Sequence, residues 1–173
     1  MFDKAIQSSS VLGAALLASL GAAYGLNHLS SGGQAQAAVV TVAPIAGPPA
    51  TGQAAQVVRG ADGHYWAEAE IDGRAVRVLV DTGATVVALT RQDAQRLGLK
   101  VTSADFNRAV QTASGEDKAA SVTLASVSVA GATVRKVEAL VVEEGLAHSL
   151  LGMSYLGRLS RFEASPAGLT LRP

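Results

Sequence analysis

A mostly hydrophobic stretch lies near the N terminus, residues 11–29, with the sequence VLGAALLASLGAAYGLNHL, rich in Ala and Leu and without a charged side chain. As a helix, this stretch would be about 28 Å long at ~1.5 Å per residue, close to the hydrocarbon thickness of a bilayer. It predicts a transmembrane anchor that follows a short N-terminal tail, residues 1–10. A cleaved secretory signal is the alternative, because Ala35-Gln36-Ala37 resembles a cleavage site. A buried helix of a soluble protein is disfavoured, because the stretch has no polar face.

The next segment, residues 30–56, has no hydrophobic periodicity and no charge, and it contains three of the five prolines. A segment so rich in Ser, Gly, Gln and Ala cannot bury enough apolar area to offset the entropy that folding removes. It therefore predicts a flexible linker between the anchor and the rest of the chain.

Residues 57–173 show the alternation that is typical of β-strands. In HYWAEAEI, Glu68 and Glu70 fall on one face, and Asp72-Gly73 then predicts a tight turn into the strand RAVRVLV. Further strands are predicted at TVVAL, RAVQTA, AASVTLASVSVA, ATVRKVEALVV and GLTLRP. The pattern indicates a mainly β domain, a closed barrel or sandwich with one or two short helices.

One short helix has clear boundaries in the sequence. Thr90 and Asp93 have the spacing of a capping pair at its start, and Gly98 is a natural residue to end it.

Charge and composition exclude several classes of function. The formal net charge is zero and no basic cluster occurs, so the electrostatic attraction that nucleic-acid binding needs is absent. The chain has no cysteine, and His28, His64 and His148 stand alone without a second ligand at metal-binding spacing. We therefore expect neither a metal site nor a cofactor.

The segment VRVLVDTGATVVALT, residues 76–90, places Asp81 among valines and leucines. An ionised carboxylate away from water is so unfavourable that it normally gains a partner or a proton. One interpretation is structural, an Asx-type turn in which Asp81 accepts hydrogen bonds from the backbone of Gly83 or Ala84. The other is that the turn presents a reactive carboxylate.

Three motifs in order resemble the retroviral-type aspartic proteases, especially their bacterial single-domain branch. VRVLVDTGATVVALT resembles the active-site segment, VQTASGEDKAASVTL the flap hairpin with Ser114-Gly115 at its tip, and SLLGMSYLGRLSRFE the second signature, in which two apolar residues and a glycine precede a helix. The resemblance as a whole covers nearly everything from His64 to Leu171. Retroviral members commonly carry an acidic residue at the position of Thr85 and an arginine at that of Met153, and this pair is absent here.

The resemblance assigns roles to these positions. Asp81 would be catalytic, Thr82 would hydrogen-bond across a dimer interface, and Gly83 would let the substrate backbone approach. Ala84 would line the substrate cleft, which the hairpin tip at Ser114 and Gly115 would close. Leu150, Leu151 and the following Gly152 would pack as a support strand beneath the site.

The chemistry that the resemblance implies needs two carboxylates that share a proton. This chain has one Asp-Thr-Gly and no Asp-Ser-Gly. The implied function is therefore an aspartic endopeptidase that acts as a homodimer on protein or peptide substrates, with Asp81 of each chain facing its mate. The alternative is a non-catalytic, membrane-tethered β domain that binds peptides or proteins.

Lys4 is the only cation near the hydrophobic stretch and lies on its N-terminal side. The positive-inside tendency then keeps the tail in the cytoplasm, and the protease domain would face the periplasm from a bacterial inner membrane. Self-cleavage in the linker, between Ala37 and Ala55, is a further hypothesis.

Overall fold

The alternation of buried and exposed residues sets a fold made mostly of β-strands. The structure is a computed structural model that describes residues 47–173. Its elements are β1 (Thr51–Gly52), β2 (Ala55–Val57), β3 (Trp66–Ile71), β4 (Arg74–Val80), β5 (Val87–Thr90), α1 (Arg91–Leu97), a 3₁₀ turn (Ser103–Asp105), β6 (Arg108–Thr112), β7 (Gly115–Val129), β8 (Ala132–Val142), β9 (Leu150–Leu151), α2 (Met153–Leu156), β10 (Arg161–Ser165) and β11 (Gly168–Arg172). The prediction of a mainly β fold with short helices is confirmed.

Six strands close on one another to form a barrel. The larger sheet has the order β1-β8-β5-β9-β4-β3-β7-β6, and β7 also pairs with β8. Because β7 and β8 stand at opposite sides of the β5, β9, β4 and β3 group, their pairing closes the sheet. Apolar side chains from these strands fill the interior, among them Val78, Leu89, Leu124, Val141 and Leu151.

The β3–β4 hairpin forms as the alternation predicts. Ala67, Ala69 and Ile71 are buried, whereas the glutamates between them are exposed. Both turn residues have positive φ, 49° at Asp72 and 81° at Gly73, as a tight two-residue hairpin turn requires.

The predicted helix is α1. The Thr90 hydroxyl accepts a hydrogen bond from the amide of Asp93, and Gly98 ends the helix in the left-handed conformation with φ 76°. Glycine takes this conformation without the steric cost that a side chain imposes.

The folded domain begins earlier than its composition indicates. Residues 47–56 were predicted to belong to the flexible linker, yet β1 pairs with β8, and β2 pairs with β11. Ala55 is buried in β2. The buried guanidinium of Arg158 donates to the carbonyl of Pro48 through Nε at 3.0 Å. The composition of this segment does not predict its structure, because its partners are strands and an arginine far along the chain.

The C-terminal strands form a second, three-stranded sheet in the order β10-β11-β2. The second signature predicts a helix after its glycine, and α2 begins directly after Gly152 and has four residues. Arg161–Ser165, where the sequence pattern predicts no strand, pairs antiparallel with β11.

The predicted tail and anchor, residues 1–10 and 11–29, and residues 30–46 of the predicted linker lie outside the described residues. Within residues 47–173, no helix combines the length and the apolar character that crossing a bilayer requires.

Candidate active site

Asp81 lies at the end of β4, where the barrel strand turns into a loop. Val76 and Val78 of this strand are buried, but the side chain of Asp81 is partly exposed, and Thr82 and Gly83 are exposed. The carboxylate is therefore not enclosed by the valines around it in sequence, because they point into the barrel while the loop leaves its rim. The desolvation cost that the sequence suggested is largely avoided.

The Asp81 loop is an Asx-type turn. The amide of Gly83 donates to Asp81 Oδ1 at 2.8 Å, and the amide of Ala84 donates to the Asp81 carbonyl at 3.3 Å. Within the described residues, Oδ2 accepts no hydrogen bond and no cationic side chain forms an ion pair with this carboxylate. One carboxylate oxygen is thus oriented by the turn, and the other remains available for chemistry.

The short strand β9 lies beneath this loop, between β4 and β5. Leu79 and Val80 pair in parallel with Leu150 and Leu151, and Ala88 pairs antiparallel with Leu150. The amide of Asp81 donates to the carbonyl of Leu151 at 3.2 Å. The structure therefore brings the predicted support residues directly against the predicted catalytic residue.

Gly152 marks the closest backbone approach in this region. A Cβ atom at this position would lie 2.2 Å from the carbonyl oxygen of Val86 and 2.7 Å from that of Ala84. Only glycine leaves room for the two backbones to pass at this distance. The Asp81 loop is consequently packed against the residue that follows β9.

The segments around Thr85 and Met153, the positions without the acid–arginine pair, are connected by a backbone hydrogen bond. Thr85 is exposed and Met153 packs partly against the core. The amide of Met153 donates to the carbonyl of Ala84 at 2.8 Å. A backbone hydrogen bond therefore connects these two segments without an ion pair.

The β6–β7 hairpin is present where the flap was predicted. Ala113 and Ser114 form its turn, and Gly115, with φ 118°, is the first residue of β7. The Thr112 hydroxyl donates to the carbonyl of Gly115 at 2.8 Å. No hydrogen bond among residues 47–173 joins this tip to the Asp81 loop. Within the described residues, the hairpin tip and the Asp81 loop are therefore not connected by hydrogen bonds.

Two surface cavities lie away from Asp81. The larger, about 570 Å³, is open and is bordered by Trp66, Arg77, Asp93 and His148. The smaller, about 180 Å³, lies between the hairpin tip and Gly145. Asp81 lines neither cavity. Among the side chains that the structure describes, no three His, Asp or Glu residues are grouped as a metal ion would require.

Two serines near the site had no role in the sequence interpretation. The Ser149 hydroxyl accepts from the amide of Thr90 at 3.1 Å. The Ser154 hydroxyl accepts from the amide of Val87 at 2.9 Å and donates to the carbonyl of Glu138 at 2.7 Å. The sequence contained a signal for both serines, because a small polar residue inside an apolar run is normally buried with a hydrogen-bond partner.

Known proteins resemble the domain in sequence and in fold. The chain is 40% identical over 112 residues to an uncharacterized Sinorhizobium protein from the cobV 5′ region, with 64% of this chain and 48% of that protein covered. It is also 40% identical over 106 residues to an uncharacterized Rickettsia prowazekii protein, with 61% of this chain and 46% of that protein covered. The chain thus spans about half the length of the curated relatives it matches.

A solved structure gives the same fold. The crystal structure of a retropepsin-like aspartic protease from Rickettsia conorii superposes with a TM-score of 0.61 at 33% identity, covering 70% of this chain and 92% of that one. A model of the family described as "gag-polyprotein putative aspartyl protease" matches residues 67–158, which are more than half of the chain. The chain therefore belongs to this family of retropepsin-like aspartic proteases.

Proposed function

We propose that this protein is an aspartic endopeptidase in which Asp81 is the catalytic residue. The observation that carries the proposal is the geometry of the Asp81 loop, where one carboxylate oxygen is held by the Gly83 amide and the other accepts no hydrogen bond from residues 47–173. Membership in a family of retropepsin-like aspartic proteases supports the same chemistry.

The proposed reaction needs two carboxylates and one shared proton. The ionised carboxylate takes a proton from water, and the resulting hydroxide attacks the peptide carbonyl carbon while the protonated carboxyl gives its proton to the carbonyl oxygen. The first carboxyl then gives the proton it took from water to the amide nitrogen, the second carboxylate takes a proton from a hydroxyl of the tetrahedral intermediate, and the carbon–nitrogen bond breaks to release the amine and the carboxylic acid. The reaction therefore needs one protonated and one ionised carboxyl at the same time.

A second chain supplies the second carboxylate in this proposal. The sequence has one Asp-Thr-Gly, and Asp81 lines neither of the two cavities described above. A two-fold axis beside the loop would bring two Asp81 side chains together, with the exposed Thr82 of each chain at the interface. The substrate groove would then form between two barrels.

The remaining site residues take the roles that the family resemblance gives them. Gly83 and Ala84 would border the bound peptide, and the hairpin tip at Ser114 and Gly115 would fold over it and exclude water. The tip lacks an aromatic side chain. Its contacts to substrate would therefore come from backbone groups.

The first test replaces the proposed catalytic group. The full chain is assayed with unstructured peptides at mildly acidic pH, with and without an aspartic-protease inhibitor. Asp81→Asn is expected to abolish hydrolysis. The control is Glu70→Gln, an exposed carboxylate on strand β3, which should keep full activity. Unchanged hydrolysis by Asp81→Asn would refute the assignment, and peptide binding without hydrolysis by the unaltered chain would favour the non-catalytic alternative.

A mixing experiment tests whether the carboxylates are shared. Equal amounts of unaltered and Asp81→Asn chains are equilibrated and assayed. The mixture is compared with the unaltered protein at the same total chain concentration. If only pairs of two unaltered chains are active, the mixture has about one quarter of that activity, because random pairing makes such pairs about a quarter of all dimers. About one half remains if each chain acts alone, and that outcome would contradict the dimer.

We also propose that residues 11–29 hold the protease domain at the periplasmic face of the inner membrane. The support is the uncharged apolar stretch with Lys4 on its N-terminal side. A reporter fused after Pro173 should be active only outside the cytoplasm; activity confined to the cytoplasm would contradict this orientation.

A further inference from the structure

Asp93 makes a contact that helix capping does not require. Thr90 and Asp93 bond reciprocally, the Thr90 hydroxyl donating to Asp93 Oδ2 at 3.0 Å and the Asp93 amide donating to that hydroxyl at 3.1 Å. These two bonds already complete the cap. The same Oδ2 also accepts from the Ser149 hydroxyl at 2.6 Å. A side chain at the start of α1 is therefore bound to the residue immediately before β9.

Ser149 connects three elements of the barrel. It is buried, with 1% of its surface exposed. Its hydroxyl donates to Asp93 and accepts from the Thr90 amide, while its carbonyl accepts from the amide of Leu79 at 2.9 Å. Strands β4 and β5 and helix α1 are thus all fixed to Ser149.

The path from Ser149 to the catalytic loop is short. Leu150 and Leu151 follow directly and form β9, and the Leu151 carbonyl accepts the amide hydrogen of Asp81. A shift of Ser149 would move β9 along β4 and change the position of the Asp81 backbone. Contacts of this kind, continuous through packed and hydrogen-bonded groups, can carry coupling between two positions.

We propose that Ser149 and Asp93 are positioning residues for Asp81, an inference that rests on the proposed protease function. Asp93 accepts the Ser149 hydroxyl hydrogen and sets its direction. The hydroxyl oxygen then faces the Thr90 amide, and the Ser149 carbonyl faces Leu79. The strand that supports the catalytic loop is held in one register.

The kinetic test uses Ser149→Ala and Asp93→Ala in the full chain, because alanine removes the oxygen that accepts the Ser149 hydroxyl hydrogen and keeps the capping bond from the amide of residue 93. Both should lower kcat about 10- to 100-fold, because small displacements of a catalytic group have effects of this size. KM should stay within about twofold, since neither side chain lies at the loop surface that would meet substrate. The double variant should be little worse than Ser149→Ala alone, because Asp93 acts through Ser149.

Arg96→Gln is the matched control on the same helix. Arg96 is 68% exposed and its only ion pair is with Asp93 Oδ1 at 3.6 Å within the described residues. Losing this pair leaves the Ser149 contact intact, so kcat and KM should equal those of the unaltered protein.

Amide hydrogen exchange provides a readout that needs no substrate. In Ser149→Ala, the amides of Leu79 and Asp81 should exchange at least about tenfold faster than in Arg96→Gln, because their acceptors are no longer fixed. Amides of the β10–β11 hairpin, which belongs to the other sheet, should keep their rates.

Three outcomes would overturn the inference: unchanged kcat in both variants, a raised KM with unchanged kcat, or faster exchange in β10–β11 by the same factor, which would indicate general destabilisation. If Ser149→Ala does not fold, Asp93→Ala decides by the same measurements. Absence of cleavage by the unaltered chain would refute the proposed function, and the exchange rates would still decide whether these residues hold the Asp81 loop.

Discussion

Replacing Gly152 by alanine tests whether close backbone packing beneath the Asp81 loop holds the site together. The added Cβ would lie 2.2 Å from the Val86 carbonyl oxygen and 2.7 Å from that of Ala84. Ordinary carbon–oxygen contacts are about 3.3–3.6 Å. Both neighbours are backbone atoms, so a rotamer change cannot relieve the overlap. The loop and the start of α2 must separate by about 1 Å.

The cost follows from two contributions. Forcing extra volume into a packed region costs about 1–3 kcal/mol. The separation also breaks the bond from the Met153 amide to the Ala84 carbonyl, which leaves these groups poorly paired at about 1–3 kcal/mol. We expect the free energy of unfolding to fall by about 3 kcal/mol or more. A domain of ordinary stability, about 5–15 kcal/mol, would remain folded.

Urea unfolding of the full chain, followed by tryptophan fluorescence, measures this loss. Trp66 is the single tryptophan and lies in β3, so its signal reports the barrel. Gly73→Ala is the control: nothing lies within 4 Å of the added carbon, and only its φ of 81° is unfavourable, which costs about 1–2 kcal/mol. If Gly152→Ala unfolds at the same urea concentration as Gly73→Ala, then close backbone packing at Gly152 does not hold the Asp81 loop in place.

Three further predictions concern the barrel and the segments packed on it. The fragment of residues 57–173 should have a free energy of unfolding about 3 kcal/mol lower than the fragment of residues 47–173, because it loses β1, most of β2 and a carbonyl that accepts from the buried Arg158 guanidinium. Equal urea midpoints for the two fragments would show that residues 47–56 are dispensable. Burial raises the pKa of Tyr155, so its contribution to stability is complete below about pH 10, the pKa of an unfolded tyrosine, and is lost as the pH rises further. Tyr155→Phe should therefore show a smaller loss of stability above pH 10, and an unaltered alkaline profile would contradict this. Ser154→Ala should cost about 1–3 kcal/mol by leaving a buried amide unpaired, whereas the exposed Ser160→Ala should cost less than about 0.5 kcal/mol in the same urea titration.

The features that could be predicted from the sequence are those whose determinants are close together in the chain. The β3–β4 hairpin needs only an alternating strand and Asp72-Gly73. Helix α1 needs only Thr90, Asp93 and Gly98. The loop at Asp81 needs only two apolar strands around a turn tripeptide. In each case local conformational preference and burial favour the same structure.

The features that could not be predicted depend on partners far along the chain. The strands β1 and β2 have two and three residues, too short for any periodicity, and they form because β8, β11 and Arg158 offer partners. The strand β10 was not predicted from the sequence, and it forms because it pairs with β11. The contact between Ser149 and Asp93 joins side chains 56 positions apart, which no local pattern could indicate.

The Asp81 loop is supported within its own chain. In the proposed dimer, a hydrogen bond at Thr82 across the interface would therefore add to a loop that its own domain already holds. The loop is fixed by β9 and by the Asx-type turn within one domain. A loop that is already in place before association loses little conformational freedom when the two chains meet, so less of the binding free energy is needed to order it. In the proposed dimer, the same preorganisation would leave Asp81 Oδ2, which accepts no hydrogen bond from residues 47–173, to take part in the shared proton.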